Sequence, residues 1–451
     1  MASHAGDQTA GCSRSRFALA VLALILLAFL GLGVAWDRAT PPFDNPDEPA
    51  HWNYVKFVAT RFQLPVLRPG DDPAQLLSKL VSEHFPPGQS IATIRYEFHQ
   101  PPLYYASAAV LYKLTLGLPQ RQHVEVVRLL SLLYGLATVW LSWLFARLLA
   151  PREHWLALAT AAFVAFVPMH INMAAAVDND ALSNMLLTLT VVLLLRWLQR
   201  GVGWKGAIAI GFVIGLGALT KVSTLVALPL AVLTAFLRWR RADAGHDPLP
   251  PLGALVVSGV VTLLVWGWWV IRNMLTYGVR DPLALTINRI VVAQPLTGPI
   301  TLTTAKNFAT VTFHSFWAQF GWMGIPVPAV YPPLELLTLL AFVGTLVALV
   351  RFVEAHPGEW ALSARGGELL LLVGWPLLVL ASVVQYNLTF IQEQGRYLFP
   401  AIGGFGFCFM LGLSRLAGPR LSPLVLLAVS FLLFLLCIVL LRDVVIPAWH
   451  T

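Results

Sequence analysis

Residues 102–118 read PLYYASAAVLYKLTLGL, and whether they cross a membrane decides how the whole chain is laid out. The stretch is short for a crossing helix, which needs about 20 apolar residues. It also holds Tyr104, Tyr105, Tyr112 and Lys113, and it starts inside a double proline. The chain around it is too apolar for a soluble protein: of 451 residues, 57% are hydrophobic and 12% charged, where soluble domains carry about 25% charged residues. The expected fold class is all-α, a polytopic integral membrane protein. Clear apolar runs lie at 17–36, 128–149, 155–174, 181–198, 205–220, 222–238, 253–275, 333–352, 367–386, 397–414 and 421–441.

The basic residues resolve 102–118. If it lies on the membrane surface as an amphipathic helix, about eleven helices cross. Arg14 and Arg16, Arg147 and Arg152, Arg196, Arg200 and Lys205, Arg238, Arg240 and Arg241, Arg351 and Arg365, and Arg415 and Arg420 then all fall on one side. That is the bias expected of cytoplasmic loops. If 102–118 spans, the bias fails after the first helix. The same bias accounts for the net charge of +8: the basic residues are scattered among apolar runs, which excludes a nucleic-acid-binding patch. Residues 1–16 are polar and the apolar run after them is long for a signal peptide, so the first helix is expected to stay uncleaved. Cys12, Cys408 and Cys437 are far apart and offer neither a disulfide framework nor a metal-ligand spacing.

This layout predicts one transmembrane domain over 1–451 with no separate soluble domain. Four polar features then share the extracytoplasmic side: a first loop at 37–127, the turn around Val177-Asp178-Asn179-Asp180, a second large loop at 276–332, and the turn Gln392-Glu393-Gln394-Gly395-Arg396-Tyr397. The first loop has aromatic material to pack, and 48–62 has helical character. Trp317, Phe320 and Trp322 suit an interfacial position in the second. The sequon Asn387-Leu388-Thr389 falls on the same side.

Charged residues beside hydrocarbon are costly and are usually kept for a task. In Pro46-Asp47-Glu48-Pro49-Ala50-His51 two adjacent carboxylates can divide two jobs: one accepts a proton or orients an acceptor, while the other holds a metal or a neighbouring helix. Asp47 can also simply cap a helix that begins at Glu48-Pro49. His51 follows on the same helical face, and His99 precedes the rigid Pro101-Pro102. Each either contacts substrate or is a plain interfacial histidine. Asp178 and Asp180 can share a cation or bind a hydroxyl, or one of them can cap the next helix. Lys221, Arg272 and Arg396 are three cations at one membrane face and a natural seat for a phosphate, though each alone can snorkel.

At these residues the chain resembles the GT-C membrane glycosyltransferases, especially the protein-mannosyltransferase and lipid A aminoarabinose-transferase types. The resemblance rests on Asp47-Glu48 with His51 and on His99-Gln100-Pro101-Pro102-Leu103-Tyr104-Tyr105. Asn179-Asp180, Leu219-Thr220-Lys221, Arg272-Asn273 with Tyr277-Gly278, and Gln394-Gly395-Arg396-Tyr397 extend it, so it covers most of the chain in order. It departs where His-Gln-Pro-Pro stands for the His-Pro-Pro common among relatives. It implies a polyprenyl-phosphate-linked sugar donor, an extracytoplasmic protein, lipid or polysaccharide acceptor, and transfer with inversion at the anomeric carbon. Asp47 would be the general base or acceptor-positioning group and Glu48 its support, with Lys221 and Arg396 on the donor phosphate. No large soluble C-terminal domain of the oligosaccharyltransferase kind is recognisable, which points to a single sugar. Some relatives use a divalent cation, and Asp47, Glu48, Asp178 and Asp180 have the oxygen ligands for Mg²⁺ or Mn²⁺. The implied location is the bacterial inner membrane, with a cytoplasmic N-terminus. The rival readings are a transporter or flippase of a lipid-linked sugar, which would more often show repeated halves, and a non-catalytic envelope assembly protein.

Overall fold

The computed structural model describes residues 2–86, 88–241, 247–292, 300–356, 358 and 363–450; the side chains of 2–15 and of residue 450 lie outside it, and with them those of Cys12 and Arg14, as does Pro87. The apolar runs fold into helices because only a helix satisfies its own backbone inside hydrocarbon. In chain order they are α1 (Ala2–Ala39), α2 (Glu48–Arg61), α3 (Ala74–Ser82), α4 (Leu103–Leu114), α5 (Gln120–Leu149), α6 (His154–Phe166), α7 (Pro168–Ala174), α8 (Asp180–Arg200), α9 (Trp204–Ala218), α10 (Ala227–Trp239) and α11 (Pro251–Tyr277). They continue with α12 (Leu285–Val291), α13 (Leu302–Trp317), α14 (Tyr331–Ala355), α15 (Ala364–Asn387), α16 (Ile402–Leu440) and α17 (Ile446–His450). Among the described residues, one small antiparallel pair, β1 (Gln319–Phe320) with β2 (Ile325–Pro326), sets Phe320 opposite Ile325.

Eight helical stretches among the described residues are long and apolar enough to cross a membrane, or nine if the bent pair α6–α7 counts as one. The chain is an integral membrane protein. Two of the expected spans are modified. The run 155–174 bends by 62° where Pro168 follows Val167. The run 205–220 is the 15-residue α9, about 22 Å long at 1.5 Å per residue. The runs 397–414 and 421–441 form the two helical arms of α16, separated as expected by a kink at Gly418 (φ 72°) just before Pro419. Residues 102–118 hold the 12-residue α4, too short to cross alone, with Tyr104, Tyr105 and Tyr112 buried.

α8 is the centre of the bundle: 78% of its most apolar window is buried, against 11% for α14. Small residues bring the outer helices close. A Cβ on Gly344 of α14 would stand 2.1 Å from the Gly412 carbonyl oxygen of α16, the kind of backbone approach that stabilises helix pairs in lipid. The first loop has a core of its own, in which Tyr54 and Tyr105 stack at 3.6 Å and 6°. Its helices α2 and α4 pack together over the end of the bundle where α8 begins.

Candidate active site

Asp47 precedes α2 in the left-handed conformation (φ 64°) and its side chain makes no cap. A non-glycine residue in that region is strained and persists only where its surroundings hold it. Pro49 starts the helix, while the Asp47 carbonyl accepts from the amides of Ala50 and His51, both at 3.1 Å. The side chain is thereby turned out of the helix. Its Oδ1 accepts from the Tyr96 hydroxyl at 2.7 Å and its Oδ2 from Arg396 Nη2. Its carboxylate stays 19% exposed and lines a cleft of about 170 Å³ with Tyr96, Asp72, Trp322 and Gln392.

Glu48 points the other way. It is fully buried and grips Arg128 with both oxygens, from Nε to Oε1 and from Nη2 to Oε2, each at 2.6 Å. It also accepts from the amides of Phe43 (2.8 Å) and Val177 (2.9 Å). Arg128 reaches on to the carbonyls of Asp37, Thr40 and Pro41. Of the two jobs open to the carboxylate pair, Glu48 has the helix-holding one, because all its accepting directions are filled by the scaffold.

The partner of Asp47 comes from the far end of the chain. Gly395 sits against α13, where a Cβ would lie 2.3 Å from both Phe316 N and Thr312 O, and its amide donates to Ser315 Oγ at 2.8 Å. This contact fixes Arg396, whose Nη1 donates to Asp178 Oδ2 at 3.1 Å and whose Nε donates to Gln394 Oε1 at 2.6 Å. Arg396 thus bridges two carboxylates while itself only 2% exposed. Asp178 Oδ1 accepts the Asp180 amide at 2.8 Å, and Asp180 Oδ1 accepts from Lys221 Nζ, leaving its buried Oδ2 without a partner. His51 shares a 2.8 Å hydrogen bond with Tyr105 and brings Nε2 to 3.5 Å from Asp178 Oδ1.

Burial would raise the Asp47 carboxyl, but Arg396, His51 and Tyr96 together hold it below its ordinary value. Burial wins at Asp178, which is raised despite Lys221 and Arg396. Burial opposes the charge on Lys221, yet Asp180 and Asp178 raise its pKa. The buried imidazoles are pushed down, His99 to about 4, and Glu97 is raised by burial although His51 favours its charge. The site therefore favours the ionised form of Asp47.

The structure brings Asp47, His51, Asp178, Asp180, Lys221 and Arg396 together. His99 stands one step back, its Nδ1 bonded to the Tyr96 carbonyl at 2.9 Å. Arg272 lies elsewhere: it donates to the Pro65 carbonyl and to Asn273 Oδ1 and packs on Trp269, pinning the first loop. Tyr96, Glu97 and Arg128 are site and scaffold residues that no local pattern announces. Where a divalent cation would sit between Asp47, Asp178 and Asp180, the chain places Arg396 and Lys221. Among the described residues no three His, Cys, Asp or Glu side chains are grouped to hold a metal.

Residues 99–268 match the family model of dolichyl-phosphate-mannose-protein mannosyltransferase. No curated protein matches the chain. Among solved structures it is similar to ArnT from Cupriavidus metallidurans bound to undecaprenyl phosphate, at 15% identity and TM-score 0.52 over 96% of this chain and 74% of that one. The same protein in the apo state gives 15% identity and TM-score 0.53 over the same shares. The Archaeoglobus fulgidus oligosaccharyltransferase tethered to an acceptor peptide gives 13% identity and TM-score 0.51 over 96% of this chain and 54% of that one. Residues 99–268 thus match that family model, and the chain as a whole shares the fold of these solved membrane proteins.

Proposed function

We propose that the protein is an inverting glycosyltransferase that moves a single sugar from a polyprenyl-phosphate donor to an extracytoplasmic acceptor. The observation that carries this reading is the Asp47 carboxylate: it faces an open cleft, kept ionised by Arg396 and Tyr96, with Lys221 and Arg396 at the same place to receive a phosphate. The acceptor hydroxyl oxygen attacks the anomeric carbon from the face opposite the phosphate. As the new C–O bond forms, the bond to phosphate breaks and the pair leaves on the lipid phosphate. The acceptor proton passes to Asp47. A carboxylate held low is a weak base, so it orients the hydroxyl first and takes the proton late, once the oxygen has become acidic by bonding. Glu48 contributes through the scaffold, and no step passes through a metal. The cleft of about 170 Å³ beside Asp47 favours one sugar ring over an oligosaccharide.

The topology supports an extracytoplasmic site. Counting α9, the bent α6–α7 and both arms of α16 as crossings gives about eleven, which leaves the short basic loops on the side opposite Asp47. That is the orientation expected in a bacterial inner membrane with a cytoplasmic N-terminus. The acceptor is a protein, lipid or polysaccharide presented outside.

The test is sugar transfer by protein reconstituted in lipid, from a panel of radiolabelled polyprenyl-phosphate sugars to an envelope extract. Asp47→Asn is expected to lose about 10²–10⁴-fold in rate while melting as the wild type does. If neither protein transfers sugar and both bind the lipid phosphate, the flippase reading takes its place.

A further inference from the structure

The cleft at Asp47 does not end there. Through Asp72, Leu77 and Trp322 it continues into an outer groove of about 420 Å³ along α3, within the roughly 300–1,000 Å³ of small-molecule sites. The groove joins the two large loops: α3 belongs to the first, and Trp322 is on the hairpin between β1 and β2 in the second. Trp322 (φ 52°) and Met323 (φ 67°) are consecutive left-handed residues, strain that persists only where the fold enforces it. The indole is fixed by its Nε1, which donates to the Phe43 carbonyl at 3.0 Å, and by stacking on Phe85. With its N–H used, the ring offers an apolar surface. Asp72 has no side-chain partner among the described residues, and burial and the charge of Asp47 push its carboxyl up. Ser78 and Ser82 add hydroxyls along α3. No Lys or Arg lines either part of this space.

The geometry points to this groove as the acceptor subsite, and to a neutral carbohydrate as the acceptor. The inference rests on the glycosyltransferase reading of Asp47. An aromatic plate takes the apolar face of a pyranose, an unpaired carboxylate takes its hydroxyls, and the groove leads to the Asp47 cleft. A phosphorylated acceptor lying in the outer groove would meet Asp72 with no Lys or Arg lining that groove, so negative charge is selected against there. A peptide would gain nothing from the plate and the free carboxylate beyond what any polar groove offers.

The test is saturation-transfer NMR on the full-length protein in nanodiscs, with chitobiose, mannobiose, glucose 6-phosphate and a Ser/Thr-containing peptide as probes at millimolar concentration. The expected result is a signal from a neutral disaccharide and none from the phosphate or the peptide. Trp322→Ala should weaken the disaccharide about tenfold, Trp322→Phe should restore it, and the isosteric Asp72→Asn should weaken it as well. Binding of undecaprenyl phosphate should be the same in all. The proposal is overturned if no disaccharide binds, if binding ignores both residues, or if the peptide alone occupies the groove. The two readings fail separately: disaccharide binding at Trp322 without sugar transfer sinks the transferase, whereas transfer indifferent to Trp322→Ala sinks the groove.

Discussion

Asp47 and Asp44 lie three residues apart and are governed by opposite forces. Arg396 and Tyr96 keep Asp47 charged, whereas burial raises Asp44 from 3.8 to about 7 in spite of His84. Between those two values the folded protein holds a proton on Asp44 that the unfolded chain has released. Stability therefore falls as pH rises through that window, and the full penalty stands above it. Asp44→Asn should raise the melting temperature by a few degrees at pH 8 and leave it unchanged at pH 4; an equal gain at both would exclude the charge as the cause. Asp47, Asp178, Lys221 and Arg396 are legible in the sequence because each puts a charge at the edge of an apolar run. Arg128 is not, since it opens the run 128–149 and looks like a flank. Its role depends on Glu48, a residue 80 positions away. Tyr96 and Glu97 sit in an ordinary polar loop, and only the fold carries them to Asp47 and His51. Arg272 reads like a third phosphate ligand, yet the Pro65 carbonyl has it, because the first loop folds back over α11.

The ion pair of Glu48 and Arg128 decides where α2 stands relative to α1 and α5. Removing one partner of a buried pair typically costs about 3–5 kcal/mol, and replacing both by apolar residues much less. Glu48→Gln should therefore lower unfolding stability in detergent by about that amount, and Glu48→Met with Arg128→Met should recover part of it. A Glu48→Gln protein that melts like the wild type but cannot transfer sugar would move Glu48 from scaffold to chemistry. The helical content and most of the apolar runs follow from composition alone. The bend at Val167-Pro168 does not: it could as well have been a tolerated kink within one straight span. The gap between the runs 397–414 and 421–441 is where α16 kinks, at Gly418 (φ 72°).

Across the whole molecule the charges segregate. Asp47, Asp178, Asp180 and Lys221 meet at one end of the bundle. At other helix ends Arg365 donates to the Leu149 carbonyl closing α5, and Arg241 to the Leu198 carbonyl near the end of α8, a favourable place for a cation. In a Cys12→Ser background, Lys79→Cys should react with a membrane-impermeant thiol reagent from outside the cell and Arg351→Cys only after the membrane is opened. The reverse pattern would turn the protein over and place the site in the cytoplasm. The positive-inside bias of the basic loops is what predicts this orientation, while the meeting of separate polar segments in one site needed the fold.

At rest Arg396 already has two carboxyl partners of its own, Asp47 and Asp178. A donor phosphate can take that guanidinium only by displacing a carboxylate. After transfer, the spent lipid phosphate is a monoester with more negative charge than the donor, and a bare pair of cations would retain it. Under the proposed transfer the displaced carboxylates would stand beside it to reclaim Arg396, so that internal competition would release the product. Asp178→Asn removes one competitor, and inhibition by added undecaprenyl phosphate should then tighten about tenfold. An unchanged inhibition constant would mean that something other than these ion pairs governs release.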